Sequence, residues 1–372
     1  MIYFDHNATS PIDPQALAAI DAAFARRWGH PQSLHQAGRA AAAMQEEFTS
    51  EILRALGEPV GPSETTHVRW YPTGTAANRA ALTALAYAAE LPYRRVIVTR
   101  TEHPSLIRTV EELVRDGFEV AWARVDNSGG IDLEHLEELL RQPASCVAIQ
   151  WVSHETGRIQ PVAAVSRLCA EREVPLHVDG VQGAGKIIGP DFRCQSFVFS
   201  AHKFAGPRGV AGWLIDPEYL GRRSHAGEEP VAPIELLAGV AAALRRSLDP
   251  SFRERLKGWR NHLQSELLEA YPRAAIHAEK APRVDQTLSI AFPPIERQSL
   301  LMALDLEGLC CSAGAACASG SAEPSPTLVA MGLPRDLVRS TIRLSLGMTT
   351  TQEEVQEGLG ILRRVLRRLA NT

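Results

Sequence analysis

The chain predicts an α/β protein whose main body is a largely parallel sheet, and three observations carry that prediction. From residue 68 to residue 200, short apolar and β-branched runs alternate with helical stretches, the rhythm that parallel strands and their crossover helices impose. The polar residues with chemical potential, His103, His154, Asp179, Gln182 and Lys203, fall where those runs end. Ligands of such sheets gather there. Finally, 372 residues exceed one simple core and suggest about two domains, and the strand and helix rhythm changes near Ser247 to Ser251.

In order, Asp5-His6-Asn7-Ala8-Thr9-Ser10-Pro11 follows a short strand-like opening and is turn and capping chemistry. Residues 14 to 27 predict a helix with Leu17, Ile20, Ala23 and Phe24 on one face, and a second helix spans Gly38 to Leu56. The strand Val68-Arg69-Trp70-Tyr71 turns through Pro72-Thr73-Gly74-Thr75 into an alanine-rich helix, Ala76 to Ala89. A glycine turn feeding a helix offers free amides and the positive end of the dipole, a pocket for phosphate. Strands follow at Arg95 to Thr99, Val120 to Val125, Cys146 to Val152 and Leu176 to Val178, with helices after Ser105, over Asp132 to Leu140 and over Pro161 to Arg172. Beyond residue 251, Phe252 to Ala270, Gln298 to Leu306 and Thr351 to Leu369 read as helices, Thr287 to Phe292 and Ile342 to Ser345 as strands. The last helix opens with a Thr351-x-x-Glu354 capping box and carries an apolar stripe of Val355, Leu359, Leu362, Leu366 and Leu369.

Composition narrows the function. A 45% apolar content and a net charge of -4 describe an ordinary globular protein. No basic field invites nucleic acid, and no apolar run of about 18 residues could span a membrane. Only four apolar residues precede the polar stretch at Asp5, so a cytoplasmic protein without a secretory signal is expected. The six cysteines form no Cys-x-x-Cys pair, so neither a metal site nor a disulfide framework is expected. Cys146, Cys169, Cys194, Cys310 and Cys311 lie in or beside apolar runs, whereas Cys317 lies among small residues from Ser312 to Ala322. A thiol in such a loop is placed to react.

One lysine stands out. Among 39 basic residues only Lys186, Lys203, Lys257 and Lys280 are lysines, and Lys203 closes the buried run Gln195-Ser196-Phe197-Val198-Phe199-Ser200-Ala201-His202-Lys203, which Gly206-Pro207 ends. An amine against apolar walls can lose its proton and form an imine, which a guanidinium cannot. Lys257 and Lys280 sit in charged surroundings; Lys186 is the rival, but lacks flanking Ser and His. A phosphate pocket at Gly74-Thr75, a strand-end carboxylate at Asp179 and an amine at Lys203 together suit pyridoxal 5'-phosphate: the amine holds the aldehyde and the carboxylate keeps the ring nitrogen protonated.

These segments, with Thr101-Glu102-His103, Ala313-Gly314-Ala315-Ala316-Cys317-Ala318-Ser319, Glu323-Pro324-Ser325 and Ser340-Thr341-Ile342-Arg343-Leu344-Ser345, resemble the NifS-like cysteine desulfurases of the class V aminotransferase family over nearly the whole chain. The resemblance implies a type I pyridoxal-phosphate-dependent transferase fold. That is a mainly parallel seven-stranded sheet in a large domain over residues 15–250, and a smaller α+β domain from residues 1–14 and 251–372. It implies Lys203 as the Schiff-base lysine, Asp179 as partner of the ring nitrogen, His103 as stacking and proton-transfer residue, and Gln182 as a hydrogen bond to the ring oxygen. Gly74, Thr75, Ser200 and His202 would hold the phosphate and Arg343 the substrate carboxylate, and Cys317 would be the nucleophile that becomes a persulfide. A homodimer that converts L-cysteine to L-alanine and passes sulfur to an acceptor protein is the expected whole, with iron-sulfur cluster assembly, tRNA thiolation, cofactor synthesis or DNA modification as possible destinations.

Two departures bear on specificity. His154 stands in Ser153-His154-Glu155-Thr156-Gly157 where the family has an Asn that helps hold substrate, and an imidazole there predicts a charge that changes near neutral pH and assists Arg343. The stretch from Ser224 to Pro233 is short and lacks the family's Arg-x-Gly-Thr phosphate clamp. These leave open a related lyase or aminotransferase, acting for instance on selenocysteine, and a scaffold that keeps the fold without turnover.

Overall fold

The computed structural model describes residues 1–26, 29–62, 64–88, 94–219, 232–314 and 323–370. The chain opens with a short strand, β1 (Ile2–Tyr3), and a helix, α1 (Pro14–Arg26), then α2 (Gln36–Ala55). The main sheet follows: β2 (His67–Tyr71), β3 (Arg95–Thr99), β4 (Glu119–Ala123), β5 (Cys146–Gln150), β6 (Leu176–Asp179), β7 (Ser196–Ser200) and β8 (Ala211–Ile215). Its seven strands lie in the order β2-β8-β7-β6-β5-β3-β4. All neighbours are parallel except β8, which runs antiparallel to both β2 and β7.

The apolar runs are continuous because the sheet is covered on both faces. Ile97, Val147, Ile149, Phe197 and Phe199 enter one apolar layer, with α2, α5 (Leu133–Leu139), α6 (Val162–Glu171) and α7 (Ile234–Ser247). Val96, Val98, Cys146, Ala148 and Val198 enter the other, under α3 (Gly74–Ala88) and α4 (Pro104–Arg115). Each such side chain, fully buried, contributes about 1.5–3 kcal/mol, so the strand ends are held by a rigid frame.

A second apolar core gathers the N-terminal arm and the C-terminal third. Ile2 and Phe4 pack with Leu263 and Leu267 of α8 (Pro250–Ala270), Leu288 and Ile290 of β10 (Thr287–Ala291), Ile342 and Leu344 of β12 (Thr341–Ser345), and Leu362 of α12 (Gln352–Ala370). Strand β10 lies antiparallel between β12 and the short β9 (Ala275–Ile276), while β1 pairs in parallel with β11 (Leu309–Cys310). The capping box forms: Glu354 N donates to Thr351 Oγ1 at 3.2 Å and Thr351 N to Glu354 Oε2 at 2.9 Å. No described helix is long and apolar enough to cross a membrane.

Sequence pattern and structure differ at β8, at α7 and at the buried face of α1, besides several short elements of the C-terminal third. Strand β8 and helix α7 were not expected; Gly212 disguises β8 as a turn, yet a Cβ there would meet the Phe199 ring at 2.3 Å, so the glycine serves close strand packing. In α1 the buried face is Ala16, Ile20 and Ala23, while Leu17 and Phe24 are 47% and 62% exposed. The helix sits on α7 through its small residues, which permit a closer approach than its bulky ones.

Candidate active site

A cavity of about 270 Å³ lies over the carboxyl ends of β5, β6 and β7, lined by Thr73, Gly74 and Thr75 on one side and by Asp179, Gln182, Ser200, His202 and Lys203 on the other, with His103, Gln150 and His154 beside them. The turn after β2 makes the first wall. Thr73 caps α3 by accepting Ala76 N–H at its hydroxyl (3.1 Å) and Ala77 N–H at its carbonyl (3.0 Å), so the helix N-terminus is presented to the cavity at Gly74 and Thr75.

Strand β7 stops at Ser200, and one tight turn over Ala201–Phe204, closed by Ala205 at φ 61°, brings Lys203 to the cavity. Its amine donates to the carbonyls of Asn7 (2.8 Å) and Ala8 (2.7 Å). Lys186 does not line this cavity. It borders a separate one of about 40 Å³ and donates to Asn7 Oδ1 at 3.2 Å and to Gln182 Oε1. Burial, with Lys203 and Arg343 nearby, holds its pKa well below that of an ordinary lysine.

Asp179 ends β6 and is 4% exposed. Burial pushes its pKa up to about 6, against the hydrogen bonds it accepts from Val181 N–H (3.0 Å) and the Asn78 amide. Beneath it Glu102, accepting from Thr99 Oγ1 (2.7 Å) and Gln150 N (2.6 Å), is pushed up to about 8 by burial. His103 caps α4, its Nδ1 accepting Ser105 N–H at 3.1 Å, and burial with Lys203 and Arg108 lowers its pKa to about 4. Gln182 Nε2 donates to Asn7 O at 2.9 Å, and His202 Nδ1 lies 3.0 Å from Thr9 Oγ1.

The second wall comes from the arm and the C-terminal third. A recess of about 30 Å³ is shared by His103, His154, Lys203, Gly314 and Arg343. Arg343, on β12 and 2% exposed, spends Nη1 on the carbonyls of His154 (2.6 Å) and Gly314 (2.8 Å) and Nη2 on Asp5 Oδ1 (2.6 Å). Its Nε–H is buried without a partner. An unpaired N–H on a guanidinium whose Nη2 already holds a carboxylate is a donor left over for a further acceptor.

The sequence profile described as "Aminotransferase class-V" matches residues 2–222 and 218–357. The chain belongs to the class V aminotransferase family. "Cysteine desulfurase 2" of Trichormus variabilis is 31% identical over 382 residues, covering 99% of this chain and 94% of that protein. "Cysteine desulfurase" of Klebsiella pneumoniae is 33% identical over 384 residues, covering 99% and 93%. A solved structure described as "NIFS-LIKE PROTEIN" superposes with a TM-score of 0.86 at 27% identity, covering 99% of this chain and 100% of that one.

Pyridoxal 5'-phosphate, the cofactor this family implies, fits the residues present. Ser200 Oγ is a buried hydroxyl with no partner beside the helix N-terminus, a donor in want of a phosphate oxygen. A side chain at Gly74 would meet Val181 Cγ2 at 3.0 Å and Ser200 Cβ at 3.3 Å, so glycine keeps the cradle open.

One expectation is overturned. His154 is fully buried, and burial with His103, Arg343 and Lys203 lowers its pKa well below 6.5, so it carries no charge near neutral pH. Its side chain lines the cavity, with Nδ1 3.3 Å from Gln150 Oε1. Cys317 lies outside the described residues, as does all but the end of the Ser224 to Pro233 stretch. Its loop leaves and re-enters beside Glu155: a Cβ at Gly314 would meet Glu155 Oε2 at 2.8 Å, and Ser325 Oγ donates to that oxygen at 2.7 Å.

Sequence reading passed over Asn7, Asn78, Glu102, Gln150 and Glu155. Asn78 did leave a signal, as the polar residue one turn into an alanine-rich helix and 1% exposed. The others touch the site through partners distant in sequence, which no local pattern encodes.

Proposed function

We propose that this chain is a pyridoxal 5'-phosphate-dependent cysteine desulfurase that converts L-cysteine to L-alanine and carries the sulfur as a persulfide on Cys317. The observation that carries this reading is the pairing, around one recess, of an amine on a cradle with a buried guanidinium that keeps one N–H unpaired, Lys203 and Arg343. That pairing is a receptor for an α-amino acid. The names of the relatives direct it to cysteine.

Gly74, Thr75, Ser200 and His202 hold the cofactor's phosphate, Asp179 its ring nitrogen, Gln182 its ring oxygen and Lys203 its aldehyde carbon. When bound, the cofactor supplies an electron-withdrawing ring conjugated to the substrate nitrogen. Arg343 would orient the substrate through its carboxylate, and the Lys203 amine would be placed to move a proton at the α-carbon. His103 lies against the same space. The Cys317 thiolate takes the sulfur: the Cβ–Sγ bond of cysteine breaks as the sulfur–sulfur bond forms. The thiol and substrate hydrogens are conserved between persulfide and alanine. An acceptor protein then takes the persulfide sulfur. The chain is read as a cytoplasmic homodimer, and the exposed Leu17 and Phe24 on α1, at 47% and 62%, are apolar side chains that a second copy could cover. The large and small domains divide at residues 15–250 against 1–14 and 251–372.

The test is product analysis. Purified protein with L-cysteine and a thiol reductant is expected to release alanine and sulfide in equal amounts, and Cys317→Ala to keep its visible cofactor absorption while losing sulfide release. Sulfide release undiminished in that variant would transfer the reading to the broader lyase class.

A further inference from the structure

Two of the three imidazoles that line the cavity, those of His103 and His154, are fixed by hydrogen-bond partners whose polarity is not free. One end of the first chain is Trp213, whose indole can only donate. Its Nε1–H goes to Ser196 Oγ at 2.8 Å, and Ser196 Oγ lies 2.8 Å from His177 Nδ1. His177 Nε2 faces Asn78 Oδ1 at 3.2 Å, Asn78 Nδ2 faces Ser105 Oγ at 3.4 Å, and Ser105 Oγ lies 2.8 Å from His103 Nδ1. Every intermediate group is at most 5% exposed, so water does not relax the polarity.

The direction is set at the Asp179 end, where the Asn78 amide donates to the carboxylate and so turns its Oδ1 to His177 Nε2; Ser196, which accepts from the indole, is then left to give its own hydrogen to His177 Nδ1. His177 then carries its proton on Nε2 and donates to the Asn78 oxygen. That orientation points the Asn78 amide N–H groups toward Ser105 and the carboxylate of Asp179, the group that requires a donor. Ser105 passes its own hydrogen to His103 Nδ1. The backbone N–H of Ser105, 3.1 Å from the same nitrogen, demands the same acceptor. Both routes leave Nδ1 bare and the proton of His103 on Nε2.

His154 is fixed the opposite way. Gln150 Nε2 donates to the Thr101 carbonyl, which leaves Gln150 Oε1 facing His154 Nδ1 at 3.3 Å. The proton of His154 thus sits on Nδ1, and its Nε2, which makes no hydrogen bond, is an acceptor 3.6 Å from Oε1 of Glu155, whose carboxyl burial shifts toward its protonated form.

We propose that the relay Trp213-Ser196-His177-Asn78-Ser105 locks His103 as a hydrogen-bond donor at Nε2, while Gln150 locks His154 as an acceptor at Nε2, so that two of the three imidazoles lining the cavity are set as one donor and one acceptor. Ser105 and Asn78 are positioning residues in this scheme. His103 then acts by donating a hydrogen bond, because a proton could be received only at Nδ1, at the cost of both Ser105 contacts. The inference deepens the desulfurase reading, since it concerns side chains that line the same cavity.

The direct measurement is long-range 1H-15N correlation on enzyme labelled with 15N-histidine, loaded with cofactor and again without it, with signals assigned by their loss in His103→Gln and His154→Asn. His103 is expected to show a protonated Nε2 and a bare Nδ1, and His154 the reverse. The same tautomer on both rings, or a protonated Nδ1 on His103, overturns the proposal. Ser105→Ala, which removes the hydroxyl but keeps the backbone N–H, is expected to shift the His103 Nδ1 resonance while the proton stays on Nε2, and an unchanged Nδ1 shift removes the relay. For turnover, His103→Gln keeps a donor and is expected within about tenfold of wild type, whereas His103→Phe keeps a ring without the donor and is expected to lose about a hundredfold or more. Equal losses overturn the donor role. If the wild type takes up no cofactor, the desulfurase reading falls while the cofactor-free spectrum still decides the tautomers.

Discussion

The two walls of the cavity are built differently. The wall of Gly74, His103, Asp179 and Lys203 consists of strand ends of one sheet whose backbone is set by local turns and caps: Thr73 caps α3, His103 caps α4, and Val181 N–H steadies Asp179, while only the Lys203 amine reaches out to the arm, at the carbonyls of Asn7 and Ala8. The wall of Arg343 is assembled across the molecule, since its partners are Asp5, 338 residues away, and His154, 189 residues away. A cradle that its own segments define can be ready before substrate arrives. A carboxylate receptor made of three chain regions depends on how the arm and the C-terminal third sit against the sheet.

The widest test of this contrast is at Lys203. Lys203→Ala is expected to abolish the visible band of bound cofactor and to lower turnover by about three orders of magnitude or more. A band that persists and can be trapped on Lys186 with borohydride would show that the cradle does not decide which amine reacts. Arg343→Lys addresses the opposite wall. It keeps a cation for Asp5 but loses the fork, so the Michaelis constant for cysteine is expected to rise about ten- to a hundredfold, with cofactor absorption unchanged. Loss of cofactor in that variant would mean that the walls are not separable.

A smaller effect is expected at Glu102, behind the cofactor wall. Its carboxyl holds its proton to about pH 8 when folded, against 4.5 as the ordinary value. Between these values the unfolded chain binds fewer protons, so this group makes stability fall as pH rises from about 4.5 to about 8, with no further loss above. Denaturant midpoints for Glu102→Gln should decline less over that window than those of wild type; parallel declines would place the carboxylate in a better-compensated site. The smallest change is expected for His154→Asn. Because His154 is uncharged near neutrality, the pH dependence of the cysteine Michaelis constant from pH 6 to 8 should match wild type, and a flattened profile would restore a charge to that imidazole.

How much was legible follows from the same contrast. The α/β rhythm, the glycine turn at Gly74, the strand-end Asp179 and Lys203, and the capping box at Thr351 are local signals: hydrophobic period, turn chemistry and residue type decide them within a few positions. Even there, the face of α1 was misread, because Ala16 and Ala23 rather than Leu17 and Phe24 meet α7, and which side of a helix is buried depends on the neighbour that arrives. The antiparallel β8 was hidden by a glycine whose role is to admit the Phe199 ring.

By itself the sequence determined the order of strands and helices and the chemical types set at the strand ends, since both are written in neighbouring residues. Tertiary structure alone decided three further matters: that the arm carbonyls of Asn7 and Ala8 receive the Lys203 amine, that burial strips His154 of its charge, and that Arg343 keeps a buried Nε–H unpaired beside Asp5. The physical reason is common to all three. Desolvation and hydrogen-bond satisfaction are properties of a side chain's whole surroundings, and here those surroundings are brought from opposite ends of the chain.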